Sequence, residues 1–371
     1  MTVMSKTIKI GLIGCGRVSV NRHLPALKSL EEAEVVAAAD VDGTRLNRVT
    51  DRFRIEKRFV DYMALLEDST VEAVAICVPL QFHCEVALAA LDAGKHLLLE
   101  KPLVMSLDEA YRLIGQAAKT DRKVLVGFNK RWHRLVRQAR EIVRQGRLGP
   151  VGLINTICSS GHDRHSIPAW RLRREVGGGN FIENGSHFYD MWHFLLQSDV
   201  EEVRAVSRST EKGDDEPGIV TARTADGVFL NCVLSDFLPD RNEVEIFGQD
   251  CILRVSLHRF DGLELIPLHS CAGDVRNRLR NMAHFFKELP HGILQARHGG
   301  DYNASFRAQW QHFIDCIRRD IPVECTLEDG RRALQVALAA VKSASEGQPV
   351  KVAHAPRKIL PVASDSSVES Y

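Results

Sequence analysis

The sequence predicts a doubly wound α/β domain followed by an α+β domain, whose sheet is open, mostly antiparallel and flanked by helices. Three observations predict it. Short apolar runs alternate with helical stretches as far as Gly127. Strand-like segments then follow one another from 200 to 267 without helices between them. The length, 371 residues, is long for one core and comfortable for two.

The first run, Ile8 to Ile13, is apolar apart from Lys9 and Gly11. Further runs lie at Glu34 to Asp40, Ala73 to Val78, His96 to Leu99 and Val124 to Val126, with helical stretches near 20–31, 44–53, 82–93 and 107–119. Strands buried on both faces read as unbroken apolar runs, and alternation with helices implies right-handed βαβ units and a parallel sheet. After Gly127 a basic helix runs to about Gly146, and Gly149-Pro150 breaks it. A strand is expected at 151–159, then Gly177-Gly178-Gly179 and a helix from Phe181 to about Leu196. Turns at Asp214 to Pro217, Asp226-Gly227 and Gly248 to Asp250 divide the later strands. Helices at about 303–319 and 327–345 close the domain, and the tail from His354 is polar.

Lys and Arg total 49 against 48 Asp and Glu, a net charge of +1, which leaves no global field to hold nucleic acid or an anionic membrane. No apolar run is long enough to span a bilayer, and no targeting segment is read at the start. The nine cysteines lack CxxC spacing and several sit in apolar runs, as at Ala75-Ile76-Cys77-Val78. A reducing, cytoplasmic setting without a zinc site is the expectation.

Gly11-Leu12-Ile13-Gly14-Cys15-Gly16-Arg17-Val18-Ser19 ends the first strand and opens a helix. Gly14 permits the tight turn, Gly16 lets the backbone approach a pyrophosphate, and Ser19 supplies the small residue at the helix–strand contact. Asp40, ending the second strand, is placed to accept ribose hydroxyls of NAD and to repel the extra phosphate of NADP. Arg45 close by keeps NADP possible, and Asp42 is an alternative as a plain helix cap. The expected division is a Rossmann NAD(P)-binding domain at 1–127, a substrate-binding and oligomerisation domain at 128–353, and a flexible tail at 354–371.

Further landmarks follow in order: Cys77-Val78-Pro79-Leu80-Gln81-Phe82-His83, Gly94-Lys95-His96, Glu100-Lys101-Pro102, Gly127-Phe128-Asn129-Lys130-Arg131, the three glycines before the helix with His187, Phe313-Ile314-Asp315 and Glu328-Asp329-Gly330. This succession resembles the glucose–fructose oxidoreductase, inositol dehydrogenase and MocA-type (Gfo/Idh/MocA) family over nearly the whole chain. Two positions depart from the family's habit. Leu80 stands where Asn is frequent, and Glu183 stands where Asp commonly precedes the catalytic His by four residues.

The resemblance implies a catalytic role for Lys101, which ends the fifth strand where ligands of open α/β sheets bind. Beside a cationic nicotinamide its pKa is expected to be lowered, so that it shares a proton with the substrate oxygen. Pro102 offers a cis bond to aim it. Glu183, His187 and Asp190 are spaced i, i+4, i+7, which puts them on one helix face. His187 is the candidate proton acceptor. Glu183 is either its partner acid or, with Asn180, a capping box. Asp190 is either an orienter of His187 or a structural acid. The cofactor contacts implied are Gly14, Gly16, Arg17, Val18, Asp40, Pro79, His83, Glu100 and Lys101. Arg131, Trp132 and the run Gly161 to His165, with His165 the candidate contact, lie where the resemblance implies the pocket wall. His162 and His165 admit a metal reading, but hydride transfer with a Lys and a His needs none. Arg276, Arg278 and Arg280 read as a solvated helix face or as partners for an anion on a neighbouring subunit's substrate.

The function implied is an NAD(P)-dependent oxidoreductase acting on a secondary alcohol of a sugar, sugar acid, cyclitol or sugar nucleotide, in a homodimer or homotetramer. Two alternatives keep the cofactor. One is a lyase or glycosidase that oxidises its substrate transiently, and the other is a dinucleotide-sensing regulator without chemistry.

Overall fold

The computed structural model describes residues 7–161, 167–211, 213–270, 273–296 and 299–353. The first sheet contains β1 (Ile8–Ile13), β2 (Ala33–Ala39), β3 (Lys57–Phe59), β4 (Ala73–Ile76), β5 (His96–Leu99) and β6 (Val124–Val126), in the order β3-β2-β1-β4-β5-β6. Every pairing is parallel, as in a Rossmann-type doubly wound sheet. Its central strands are the most apolar, and β4 is buried along its whole length. Caps start the helices. Asp42 accepts the amide of Arg45 ahead of Gly43–Phe53, and Ser106 accepts that of Glu109 ahead of Leu107–Ala117.

The second sheet contains β7 (Val151–Ser159), β8 (Val200–Ser207), β9 (Gly218–Thr224), β10 (Phe229–Ser235), β11 (Arg241–Gly248), β12 (Cys251–Ser256), β13 (Leu263–Pro267) and β14 (Val350–Lys351), in the order β13-β12-β11-β7-β10-β9-β8-β14. All neighbours are antiparallel except β7 and β10. In β9 buried and exposed residues alternate strictly, the pattern of a sheet with one covered face.

Two helices join the sheets. Gly300–Arg319 buries Trp310, whose indole donates to His23 Nδ1 at 3.0 Å, and Gln309 reaches the Val126 carbonyl. Leu327–Glu346 starts at a capping box made by Thr326 and Asp329.

Several expectations need correction. β3 and the helix Tyr62–Glu67 were not foreseen. The strand is only the three residues Lys-Arg-Phe at a sheet edge, and the helix is a single short segment. The stretch expected near 20–31 is a π-helical turn, Ser19–His23, running into Leu24–Lys28. The helix expected from Phe181 to Leu196 is interrupted at Asn184. Asn184 is tied there to Asn180 and Asp236, side-chain bonds that compete with the helix. The arginines at 276, 278 and 280 begin a 22-residue helix, Val275–Ala296, in which Asn277 is the buried residue. The tail from 354 lies outside the described residues.

Candidate active site

The ends of β1, β2, β4 and β5 bring together two groups of side chains, one around Gly14 and Asp40 and one around Lys101.

In the first group the chain turns sharply after β1. Gly14 donates its amide to the Ala39 carbonyl at 2.8 Å and has φ +94°. A Cβ there would be driven into the Cys77 carbonyl, so only glycine fits. A Cβ on Gly16 would meet nothing within 4 Å, which leaves its backbone open to a ligand. Ser19 is fully buried and its hydroxyl donates to the Gly14 carbonyl at 2.6 Å, closing the turn against the helix. Arg17 is exposed and Val18 half-buried.

The Asp40 carboxylate accepts the Cys15 amide at 2.8 Å, the Asp42 amide at 2.9 Å, and Arg45 at 3.0 and 2.9 Å. Burial alone would raise its pKa, but Arg45 and the two amides outweigh burial and hold it below the ordinary value. Arg45 is thus already bound to the acid the sequence assigned to a ribose. Space open beside backbone amides, with a carboxylate one strand away, fits a dinucleotide.

The second group is anchored by Glu100. Its carboxylate accepts the Lys101 amide at 3.1 Å and lies 2.8 Å from His23 Nε2. The Trp310 indole can only donate, so His23 Nδ1 carries a lone pair and the neutral ring gives its Nε2–H to Glu100. His83 lies between the Pro102 carbonyl, 2.9 Å from Nδ1, and the Val78 carbonyl, 3.0 Å from Nε2. It therefore ties the segment after β4, with Pro79 before its 3-10 turn, to the Lys101 loop. The Lys101–Pro102 peptide is cis.

From this base Lys101 Nζ donates to the Glu183 carboxylate at 2.9 Å and to the Glu183 carbonyl at 3.0 Å. Arg171 approaches the same carboxylate at 3.2 Å. Burial would raise the Glu183 pKa, but Lys101 and then Arg171 pull it below the ordinary range, and it stays ionised. The capping-box alternative does not hold. Asn180 is already helical and gives its amide to Glu216 at 2.7 Å. Gly178 brings Arg171 in, because a Cβ at that glycine would strike the Arg171 carbonyl.

His187 is buried and its Nδ1 has no hydrogen-bond partner. Burial, then the charges of Lys101, Lys130 and Arg171, push its pKa well below the usual value. The sequence placed acids beside this ring, whereas the structure places cations there.

Asp190 is taken by Arg131 in a two-pronged pair at 2.8 and 2.5 Å, leaving it the structural acid of the two roles considered. Arg131 also reaches Asp329 at 3.2 Å and the Glu324 carbonyl at 2.9 Å, so it braces the core of the second domain. Trp132 packs against His312, with ring centroids 5.6 Å apart. His162 and His165 lie outside the described residues. Sequence reasoning did not single out Arg171 or Lys130. Arg171 carries no motif, while the apolar Phe128 and Trp132 flanking the 129–131 segment were a usable sign that Lys130 is buried. Among the described residues no His, Cys, Asp and Glu cluster could hold a metal, and no helix is long and apolar enough to cross a membrane.

The profile of an oxidoreductase family with an NAD-binding Rossmann fold matches residues 8–128, and the C-terminal alpha/beta domain of the same family matches 140–352. Myo-inositol 2-dehydrogenase of Thermotoga maritima is 29% identical over 354 residues, covering 93% of this chain and 98% of that one. The crystal structure of a probable dehydrogenase from Thermotoga maritima has TM-score 0.74 at 25% identity, over 93% of this chain and 99% of that one. The WlbA dehydrogenase from Bordetella pertussis, solved with NADH and UDP-GlcNAcA, has TM-score 0.78 at 21% identity over 94% and 99%, which shows the shared fold alone. The chain belongs to the Gfo/Idh/MocA oxidoreductase family.

Proposed function

From that membership we propose an NAD-dependent dehydrogenase that moves a hydride between nicotinamide and a secondary alcohol of a sugar, sugar acid, cyclitol or sugar nucleotide. One observation carries the reading. The Lys101 ammonium has three N–H bonds, and Glu183 accepts two of them. The third is left for a substrate oxygen, beside a neutral His187.

The nicotinamide, when bound, supplies the hydride acceptor. In the oxidising direction the His187 ring takes the hydroxyl proton, and Lys101 donates to the same oxygen as negative charge develops on it. Glu183 remains ionised and holds Lys101 in place. Gly14, Gly16, Arg17 and Val18 form the dinucleotide turn. Asp40 receives the ribose once Arg45, 43% exposed, gives up its two bonds to that carboxylate. The relative that acts as a myo-inositol 2-dehydrogenase supports a polyol substrate. On this reading residues 1–127 bind the cofactor, while 128–353 bind substrate and associate with other copies of the chain.

The test is nicotinamide reduction over a panel of cyclitols, aldoses and uronates, with NAD and with NADP. Turnover of at least one polyol is expected with NAD preferred, and Asp40→Ala narrows that preference. NAD binding with no turnover of any member overturns the reading in favour of a sensor. Substrate loss without net reduction moves it to transient oxidation.

A further inference from the structure

Lys130 is 6% exposed, on the 3-10 turn Asn129–Trp132 that follows β6. Its Nζ lies 3.7 Å from the centre of the Phe188 ring and 3.4 Å from the Asn242 side-chain oxygen at the start of β11. Among the described residues, the titratable groups that act on it are Lys101 and the thiols of Cys158 and Cys232, which burial keeps neutral, with no carboxylate among them. A buried ammonium without an acid is costly, and an aromatic face with one long hydrogen bond offsets only part of that cost. Burial has pushed its pKa down to about 8, so near neutral pH most of it is still charged.

The other cations here each have an acid partner. Lys101 is paired with Glu183, and Arg171 with Glu183 and Asp236. Lys130 lies against the ring of Phe188, next in the chain to His187, and its charge, like that of Lys101, bears on the His187 ring. This cluster therefore holds one positive charge more than its acids balance, before a cationic nicotinamide is added.

We propose that the substrate is an anion, a sugar or cyclitol carrying a carboxylate, and that Lys130 receives that group while the reacting hydroxyl lies between Lys101 and His187. The proposal rests on the dehydrogenase reading and narrows its substrate class. Two donors of Lys130 are unspent, and a carboxylate supplies the missing acceptor charge. A pairing made out of water discriminates strongly against an uncharged analogue, because the lysine is then left desolvated and alone.

The test compares matched pairs, glucose with glucuronate and galactose with galacturonate, and adds glucose 6-phosphate to separate carboxylate from phosphate. The kcat/KM ratio of acid to neutral sugar should exceed one by about two orders of magnitude, the scale on which buried charge pairs discriminate. Lys130→Met should collapse that ratio, and Lys130→Arg should retain most of it. Should the methionine variant not fold, the ratios in the unmutated protein still decide. Equal turnover of neutral sugars and acids overturns the anion while leaving the dehydrogenase reading in place. Preference for the phosphate overturns the carboxylate. If nothing is turned over, titration of glucuronate into the NADH-loaded protein separates the two readings. Binding that Lys130→Met abolishes keeps Lys130 as the anion site and rejects hydride transfer, and no binding rejects both.

Discussion

The dinucleotide turn and the charged cluster around Lys101 sit at the same ends of the parallel strands, yet they are built in different ways. The turn is made of backbone: a glycine with φ +94°, an open glycine two residues on, and a serine whose hydroxyl closes on Gly14. Its parts lie within nine residues, apart from Asp40, which reaches the Cys15 amide from 25 residues away. The cluster is made of side chains brought from far along the chain. Lys101 and Glu183 are 82 residues apart, and Lys130 and Asn242 are 112. A site made of backbone presents nearly the same geometry whatever the side chains around it do. A site made of charges depends on which charges are spent on one another. Lys101 with one free donor and Lys130 without an acid among the described residues are the cluster's two open positions.

Four substitutions test that contrast. Lys101→Met removes a donor and a charge from the cluster while keeping the chain length roughly the same. Turnover should fall by about two to four decades, the usual range for acid–base groups, with the NAD dissociation constant little changed. A parallel loss of NAD affinity would show that the two regions are one site.

Glycine replacements probe the turn. Gly14→Ala forces a Cβ into the Cys77 carbonyl at a positive φ, so both thermal stability and NAD affinity should drop, affinity by roughly tenfold or more. Gly16→Ala meets no protein atom, so its melting temperature should hold while NAD affinity falls. Equal melting losses in both proteins would mean that Gly16 serves the fold rather than the ligand.

The smallest effect is a shift on the pH axis. A free imidazole titrates near about 6.5. Burial and the cations around His187 depress its pKa, so the neutral, proton-accepting form persists to lower pH. Turnover in the oxidising direction should therefore be on its plateau at about 6.5 and decline only below it, and His187→Ala should remove that decline. A midpoint at or above the free value would show that Lys101, Lys130 and Arg171 do not act on this ring.

Local pattern reaches a long way in this chain. Apolar runs between helical stretches are enough to read five of the six parallel strands, because a strand covered on both faces must be apolar throughout. β3 escaped because an edge strand of three residues, two of them charged, leaves no such run. The helix Val275–Ala296 was read only through its arginines, without its full length. Its apolar residues Val275, Leu279, Met282, Phe286 and Ile293 recur at helical spacing but stay exposed, so the stripe is there without a core to cover.

By itself, then, the sequence determined the two-sheet architecture, the glycine turn with Asp40, and the placing of Lys101 at a strand end and His187 on a helix. Each of these follows from neighbours within a few turns of chain. Tertiary structure alone decided how the charges are spent: Arg45 on Asp40, Arg131 on Asp190, Glu183 on Lys101 and Arg171, and no acid on Lys130 among the described residues. The physical reason is that the strength of a charge depends on its burial and on the sign of what lies within a few ångströms. Those neighbours come from segments that no spacing in the sequence relates.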